Sequence, residues 1–266
     1  MAVAAVGRSV RPGSHELPGS LEETVEEIRS DGGTAIAIGF DLADAQQDRS
    51  ALIQQIEEAF GHSVDVLVNN AAATRHFEIG FTTMTRQHFT ETVEVNVWAA
   101  WELARLVIPG MVSSGAGWIL NVSSRAAGPR VGPPYAPNQV AGQCLYGSSK
   151  AMLDRLTTGA AMELHPSRIA VNTLAPEAAV RTENADAIVT LPESVVEPAE
   201  TMAEAALALC TGDPVVMTGR IAYSLSLLVE LQRPVHTLDG RSLVPGWQPG
   251  EIDPKRLRKG YLAELA

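Results

Sequence analysis

The sequence has few cysteines, few aromatic residues and little basic charge. Its two cysteines, Cys144 and Cys210, have neither a metal-site spacing nor the density of a disulfide framework, and they fit a reducing compartment. The net charge of −11 argues against a nucleic-acid-binding surface, which needs a basic face. No apolar run reaches the roughly 18 residues of a membrane helix, and the N-terminus lacks a signal-peptide pattern. We therefore expect a cytoplasmic protein that binds neither nucleic acid nor membrane.

Short apolar runs alternate with segments of helical pattern along the chain. The runs 2–6, 34–40, 64–68, 118–122 and 169–174 are mostly apolar and do not alternate with polar residues, which is typical of strands buried on both faces. Ser20 predicts an N-cap for a helix that ends at about Ser30, and Pro109-Gly110 predicts the end of a long helix. Further helices are expected at 49–60, 86–108, 145–164, 198–209 and 224–231, and a last strand at 235–238. The alternation predicts a doubly wound parallel sheet in a single α/β domain, residues 1–266, with 240–266 as a C-terminal tail.

Several kinds of chemistry find no support in the sequence. No G-x-S-x-G motif marks a serine hydrolase, and the six histidines show no i, i+4 pairing with a carboxylate partner. We therefore expect no metal site. The basic cluster Lys255–Lys259 in the tail is interpreted as the solvated face of a helix.

The strongest chemical feature is Tyr146-Gly-Ser-Ser-Lys150. Residues four apart on a helix lie on one face, and an ammonium beside a phenol favours the phenolate and so lowers its pKa. Such a tyrosine exchanges protons near neutral pH. The spacing alone also fits an ordinary exposed pair, so the neighbouring motifs matter.

Polar residues follow other strands at the sheet edge where ligands bind in such folds. Ser123-Ser124 closes one strand, Asn69-Asn70-Ala71 another, and Asn96 lies inside a helix whose neighbours are apolar. Asn96 has poor helix propensity, and its alternative interpretation is a solvent-facing residue.

With these residues, the chain resembles the classical short-chain dehydrogenases/reductases. The matching motifs occur in the family's order over residues 2–212. They are Asp41-Leu42, Asn69-Asn70-Ala71-Ala72, Asn96, Asn121-Val122-Ser123-Ser124, Tyr146-Gly-Ser-Ser-Lys150 and Val171-Asn172-Thr173-Leu174-Ala175-Pro176.

The resemblance implies a Rossmann-like fold and a role for each matching position. Tyr146 would be the general acid/base, Lys150 would lower its pKa and bind the nicotinamide ribose, and Ser124 would polarise a substrate carbonyl. Asn96 would distort its helix and hold a water in a proton relay. The cofactor would lie along Arg8, Asp41, Leu42, Asn69, Asn70, Ala71, Tyr146, Lys150, Pro176 and Thr182.

The largest departure from the family is at the start of the chain. The family opens with a strand, a glycine-rich turn that cradles the pyrophosphate, and a helix. Gly7, Gly13 and Gly19 are too widely spaced to match that turn, and residues 2–6 align with the family's second strand. The domain is thus expected to be N-terminally incomplete, with two unpaired strand edges and an open slot in the core. Because the catalytic motif is intact, we expect a polypeptide that begins upstream of Met1 rather than a defective protein that lacks this part of the fold.

Three smaller departures leave alternatives open. The segment between Ser124 and Tyr146 is longer than usual and is either a flap over the site or a surface excursion. Glu177 replaces the family's glycine after Pro176, and either alters substrate preference or points to solvent. Arg8 and Arg11 would pair with a 2′-phosphate, which favours NADP over NAD.

The sequence thus predicts an NAD(P)-dependent oxidoreductase that transfers a hydride between the cofactor and a ketone or secondary alcohol. The alternative is an inactive protein of the same fold that serves in binding or assembly. The resemblance also implies a homodimer or homotetramer, and Trp98 and Trp101 serve either that contact or the core.

Overall fold

The computed structural model describes residues 1–14, 19–129, 132, 143–180 and 192–264. Most of the long segment between Ser124 and Tyr146, for which the sequence left a flap and a surface loop as alternatives, lies outside these residues, as does the predicted cofactor contact Thr182. Among the described helices, none is long and apolar enough to cross a membrane.

The first half of the chain alternates strands and helices as predicted. The elements are β1 (Ala2–Gly7), α1 (Leu21–Ser30), β2 (Thr34–Gly39), α2 (Arg49–Phe60), β3 (Val66–Asn69), α3 (Arg86–Val93), a π-helical turn (Glu94–Trp98) and α4 (Ala99–Ser114). Ser20 caps α1, since its hydroxyl accepts a hydrogen bond from the Glu23 backbone N–H at 3.2 Å.

The second half supplies the buried strands. The elements are β4 (Gly117–Val122), α5 (Gln143–Leu164), β5 (Ile169–Ala175), β6 (Ala179–Val180), β7 (Val196–Glu197), α6 (Ala199–Thr211), β8 (Ile221–Tyr223), α7 (Ser224–Leu231) and α8 (Pro254–Glu264). Short 3₁₀ turns at Arg125–Ala127, His165–Ser167 and Glu193–Val195 connect them.

The strands are parallel and are covered on both faces. β3, β4, β5 and β8 form one sheet in that order, with Asn69 beside Asn121 and Asn121 beside Thr173 at its carboxyl edge. One apolar cluster joins residues of α2, α4 and α5 to the sheet, and a second joins residues of α6 and α7 to its other face. The predicted doubly wound, Rossmann-like architecture is confirmed.

The sheet is interrupted between β1 and β3. β1 pairs with β2 only, and β3 pairs with β4 only, so one edge of each strand has no partner strand among the described residues. A cavity of about 670 Å³ lies between them. It is lined by β1, by β3 and by side chains from three helices, among them Leu52, Ile56, Phe60, Leu103 and Leu153. The open slot expected from the sequence is therefore present in the structure.

Two element predictions were wrong. The helix predicted to stop at Pro109 continues to Ser114 and ends at Gly115, which has the left-handed conformation that glycine tolerates. Proline loses one helical hydrogen bond there, but burial of Val107 and Met111 on either side holds the helix together. The strand predicted at 235–238 is only an isolated bridge between His236 and Leu243, and the sheet instead ends in the short strand β8.

Candidate active site

The predicted catalytic residues meet at the carboxyl edge of the sheet. Ser124 follows β4, which lies between β3 and β5, and Tyr146 and Lys150 lie on the first turns of α5. The 3₁₀ turn after Ser124 packs closely on this helix, since a Cβ added at Gly147 would lie 2.5 Å from the Ala126 carbonyl oxygen. Only glycine allows this approach, and the contact holds Ser124 next to Tyr146.

Tyr146 is a partly buried phenol whose ring packs on Phe77, with ring centroids 5.1 Å apart. Burial raises its pKa, and a hydrogen bond with the Ser124 side chain offsets this rise in part. The prediction that Lys150 lowers the Tyr146 pKa was wrong for this structure. The ammonium lies 5.9 Å from the Tyr146 ring centroid and donates to the Val122 carbonyl at 2.7 Å instead.

Lys150 is an almost completely buried lysine, with 2% of its surface exposed. Burial lowers its pKa to about 8, and the nearby Asp154 carboxylate opposes this only in part. The bond to Val122 is the one hydrogen bond it makes with described residues, so an ammonium with three donors has capacity left for a ligand.

The lowered pKa of Lys150 predicts a specific pH dependence of stability. In the folded protein the amine loses its proton at about pH 8, whereas in the unfolded chain it stays protonated to about 10.5. Between these values the unfolded state binds more protons, so the free energy of unfolding rises with pH. At about 1.4 kcal/mol per pKa unit, the gain over this window is on the order of 2–3 kcal/mol.

The comparison that isolates this effect is urea unfolding of the wild type and of Lys150→Met at several pH values across that window. We expect the wild type to gain stability relative to Lys150→Met as the pH rises above 8. Parallel curves for the two proteins would show that Lys150 titrates normally.

Asn96 lies in the π-helical turn between α3 and α4, so the helix is distorted where the sequence predicted it. Its side-chain oxygen accepts from the Ala73 backbone N–H at 2.7 Å, and its amide donates to the Ser149 hydroxyl at 2.9 Å. Asn96 is 1% exposed, which excludes the solvent-facing alternative. It therefore ties the loop after β3 to α5, the helix that carries Tyr146 and Lys150.

The residues predicted to hold the cofactor divide into two groups. Leu42, Asn69, Asn70 and Ala71 line the cavity between β1 and β3, together with Asn96. Arg8, Asp41, Tyr146, Lys150 and Pro176 are absent from that lining. The Asn69 amide is already engaged, since it donates to the Asn121 side-chain oxygen at 2.8 Å.

The described residues fit one end of a nicotinamide cofactor and not the other. Lys150, with its unused donor capacity beside Tyr146, fits a ribose with free hydroxyls. No glycine-rich turn follows β1 to cradle a pyrophosphate, and a Cβ added at Gly13 or Gly19 would meet nothing within 4 Å. The described part of the chain thus has donors suited to the reacting end of such a cofactor but offers no close backbone approach to its phosphates.

Glu177 occupies a site that the sequence did not reveal. It is fully buried rather than solvent-facing, and its carboxylate accepts from Arg258 Nε at 2.6 Å and from the Ser226 hydroxyl at 2.7 Å. Arg258 belongs to α8, so the interpretation of Lys255–Lys259 as a purely solvated face was wrong for this residue. This ion pair between the buried Glu177 and the half-buried Arg258 joins the C-terminal helix to the carboxyl edge of β5. Its only sequence signal was the glutamate that replaces a glycine after Pro176.

The fold and these contacts define a Rossmann-like protein with a Tyr–Lys–Ser cluster at the ligand-binding edge of its sheet. The profile of the short chain dehydrogenases matches residues 5–190. The chain belongs to the short-chain dehydrogenase family.

Relatives of known name cover different shares of the chain. A ketoacyl reductase from Nostoc is 33% identical over 158 residues, covering 59% of this chain and 50% of the relative. A 3-oxoacyl-[acyl-carrier-protein] reductase from Staphylococcus aureus is 35% identical over 155 residues, 58% of each protein. The chain thus spans little more than half the length of these relatives.

A longer match connects the chain to a solved structure. The 7alpha-hydroxysteroid dehydrogenase from Escherichia coli is 31% identical over 214 residues, covering 76% of this chain and 77% of the relative. The structure of a 7alpha-hydroxysteroid dehydrogenase complexed with NADH and 7-oxo glycochenodeoxycholic acid has a TM-score of 0.65 at 30% identity, over 76% of this chain and 77% of the other.

Proposed function

We propose that the protein is an NAD(P)-dependent oxidoreductase that interconverts a ketone and a secondary alcohol. The observation that carries this proposal is the cluster of Tyr146, Ser124 and Lys150, in which a phenol, a hydroxyl and a buried ammonium occupy one edge of the sheet. A nicotinamide cofactor, when bound, supplies or accepts the hydride. The protein's part is to bind, orient and protonate.

Each of the three side chains has a distinct task in this proposal. The Tyr146 hydroxyl gives a proton to the substrate oxygen, or takes it in the reverse direction. The Ser124 hydroxyl donates a hydrogen bond to the same oxygen, which polarises the carbonyl and fixes its position. Lys150 holds the ribose of the cofactor with the donors that Val122 leaves free.

The electrostatics of Tyr146 favour carbonyl reduction. Because burial raises its pKa, the phenol is protonated at neutral pH and is ready to act as a general acid. A tyrosinate base, needed for alcohol oxidation, requires a higher pH until bound ligand changes its surroundings.

We propose NADP rather than NAD as the preferred cofactor. Arg8 follows β1 and is exposed, and Arg11 makes only a loose ion pair with Glu22 at 3.9 Å between exposed side chains. Both guanidinium groups are therefore accessible to a 2′-phosphate, to which arginine binds well.

The proposal is tested by oxidation of NADPH and NADH in the presence of ketones and 3-oxo esters. We expect carbonyl-dependent oxidation of the cofactor, with higher kcat/KM for NADPH, and a rise in unfolding temperature when either cofactor is present in millimolar excess. Oxidation that does not depend on the carbonyl compound would contradict the proposed reaction. Higher kcat/KM for NADH would contradict the NADP preference alone.

A second candidate is a binding or assembly protein without activity. The observation that favours it is the interrupted sheet, where the cavity between β1 and β3 replaces a pyrophosphate cradle. In this case neither cofactor raises the unfolding temperature and no carbonyl is reduced, so the same measurements separate the two candidates.

A homodimer or homotetramer in the cytoplasm completes the proposal. Large apolar side chains are exposed on consecutive helices, namely Phe89 on α3, Trp98 and Trp101 around the start of α4, and Met152 and Leu156 on α5. Exposed apolar side chains in this number are typical of subunit interfaces.

A further inference from the structure

Arg125 lies next to the catalytic cluster and has no use in the mechanism above. It directly follows Ser124, and its side chain is 20% exposed. Among the described residues, no hydrogen bond involves its guanidinium, and its buried Nη1 atom has no acceptor there. A buried donor of this kind is costly, because its hydration is lost and no hydrogen bond to a described residue replaces it.

Among the described residues, the carboxylate that forms an ion pair with Arg125 is already bound to another arginine. Glu177 accepts from Arg258 Nε at 2.6 Å, whereas Arg125 Nη1 is 3.7 Å from the same carboxylate oxygen, beyond hydrogen-bonding distance. Both guanidinium groups lie 5.2 Å from the Tyr223 ring centroid. Two arginines therefore share one carboxylate, which leaves an excess positive charge in a protein whose net charge is −11.

This positive charge belongs to the surroundings of Tyr146. The turn that carries Arg125 packs on the first turn of α5 at Gly147, next to Tyr146. An anionic group near the reacting carbonyl would thus find in Arg125 a guanidinium that makes no hydrogen bond with the described residues.

We propose that Arg125 binds the carboxylate of the substrate, so that the substrates of this enzyme are oxo acids and the corresponding hydroxy acids. This inference rests on the proposed function and narrows it to a substrate class. A planar guanidinium binds a carboxylate through two parallel hydrogen bonds, and such charge-assisted bonds are strong in a partly buried site.

The test compares each acid with its uncharged ester. The probes are 3-oxobutanoate, 4-oxopentanoate and 5-oxohexanoate, each beside its methyl ester, so that chain length varies at constant chemistry. Binding is measured by calorimetry and turnover by NADPH or NADH oxidation. The proteins are the wild type, Arg125→Met, Arg125→Lys and the control Arg220→Met, which removes an arginine paired with the exposed Glu230.

We expect the wild type to favour at least one acid over its ester by about 10–100-fold in kcat/KM or in affinity, as the loss of a charge-assisted hydrogen bond implies. Arg125→Met should abolish this preference by lowering the kcat/KM of the acid much more than that of its ester. Arg125→Lys should keep part of it, and Arg220→Met all of it. Arg125→Lys also provides the test if Arg125→Met does not fold.

The inference is overturned if no acid binds better than its ester, or if the preference persists without Arg125. These outcomes are distinct from failure of the proposed function. If esters are reduced but acids are not preferred, the result supports the proposed oxidoreductase activity and contradicts carboxylate binding by Arg125. If acids bind through Arg125 but no carbonyl is reduced with either cofactor, the result supports carboxylate binding by Arg125 and contradicts the proposed oxidoreductase activity.

Discussion

Replacement of Tyr146 by phenylalanine should lower kcat for carbonyl reduction by about 10²–10⁴-fold, the usual contribution of a positioned general acid. The substitution removes only the hydroxyl, which interacts with Ser124, and keeps the ring that packs on Phe77. The fold and cofactor affinity should therefore change little. The measurements are kcat and KM with one carbonyl substrate, together with the unfolding temperature of both proteins.

Tyr135→Phe is the matched control for this prediction. Tyr135 lies between Ser124 and Tyr146 in the sequence, but Gln139 rather than a lysine follows it four residues later. We expect this variant to keep the wild-type rate. A large loss of rate in Tyr135→Phe together with little loss in Tyr146→Phe would show that Tyr135, and not Tyr146, transfers the proton.

The second large effect concerns the cavity between β1 and β3. Fusion of a strand, a glycine-rich turn and a helix of the family type ahead of Met1 should raise the affinity for NADPH by about tenfold or more. A new strand would pair with the free edges of β1 and β3, and the helix N-terminus would present backbone N–H groups to the pyrophosphate. Calorimetric titration of the fused and unfused proteins with NADPH measures the difference.

A second fusion separates the two contributions. It has the same strand and helix but bulky residues in place of the turn glycines, which blocks the close approach of the backbone to the phosphates. This control should raise the unfolding temperature, because the strand fills the cavity, without the gain in affinity. If neither fusion changes stability or affinity, the cavity does not accept a strand.

The sequence was sufficient to predict much of the fold, because most elements carry local signals. Apolar runs marked the strands, and Ser20 with Glu23 marked the start of α1. The prediction that the helix ends at Pro109 was wrong, since the local effect of proline was outweighed by burial of Val107 and Met111. β8 was missed because three residues that lead directly into a helix carry no periodicity of their own.

In the candidate site too, features that depend on neighbouring residues could be predicted from the sequence, and features that depend on distant residues could not. The Tyr146 and Lys150 pair was readable because four-residue spacing on a helix is a local property. The direction in which the Tyr146 pKa shifts could not be predicted from the sequence, since it depends on burial of the phenol and on the orientation of the Lys150 ammonium. The contact of Glu177 with Arg258 joins residues 81 positions apart, and no local pattern predicts it.

The most direct test of the central proposal follows the hydride and the proton donor together. NADPH or NADH deuterated at the reactive carbon of the nicotinamide is incubated with a ketone and the wild-type protein, or with Tyr146→Phe, and the alcohol is analysed by mass spectrometry. We predict an alcohol that carries one deuterium at the former carbonyl carbon, formed by the wild type and at least about 100-fold more slowly by the variant. Alcohol without deuterium, or equal rates of labelled product from both proteins, would contradict it.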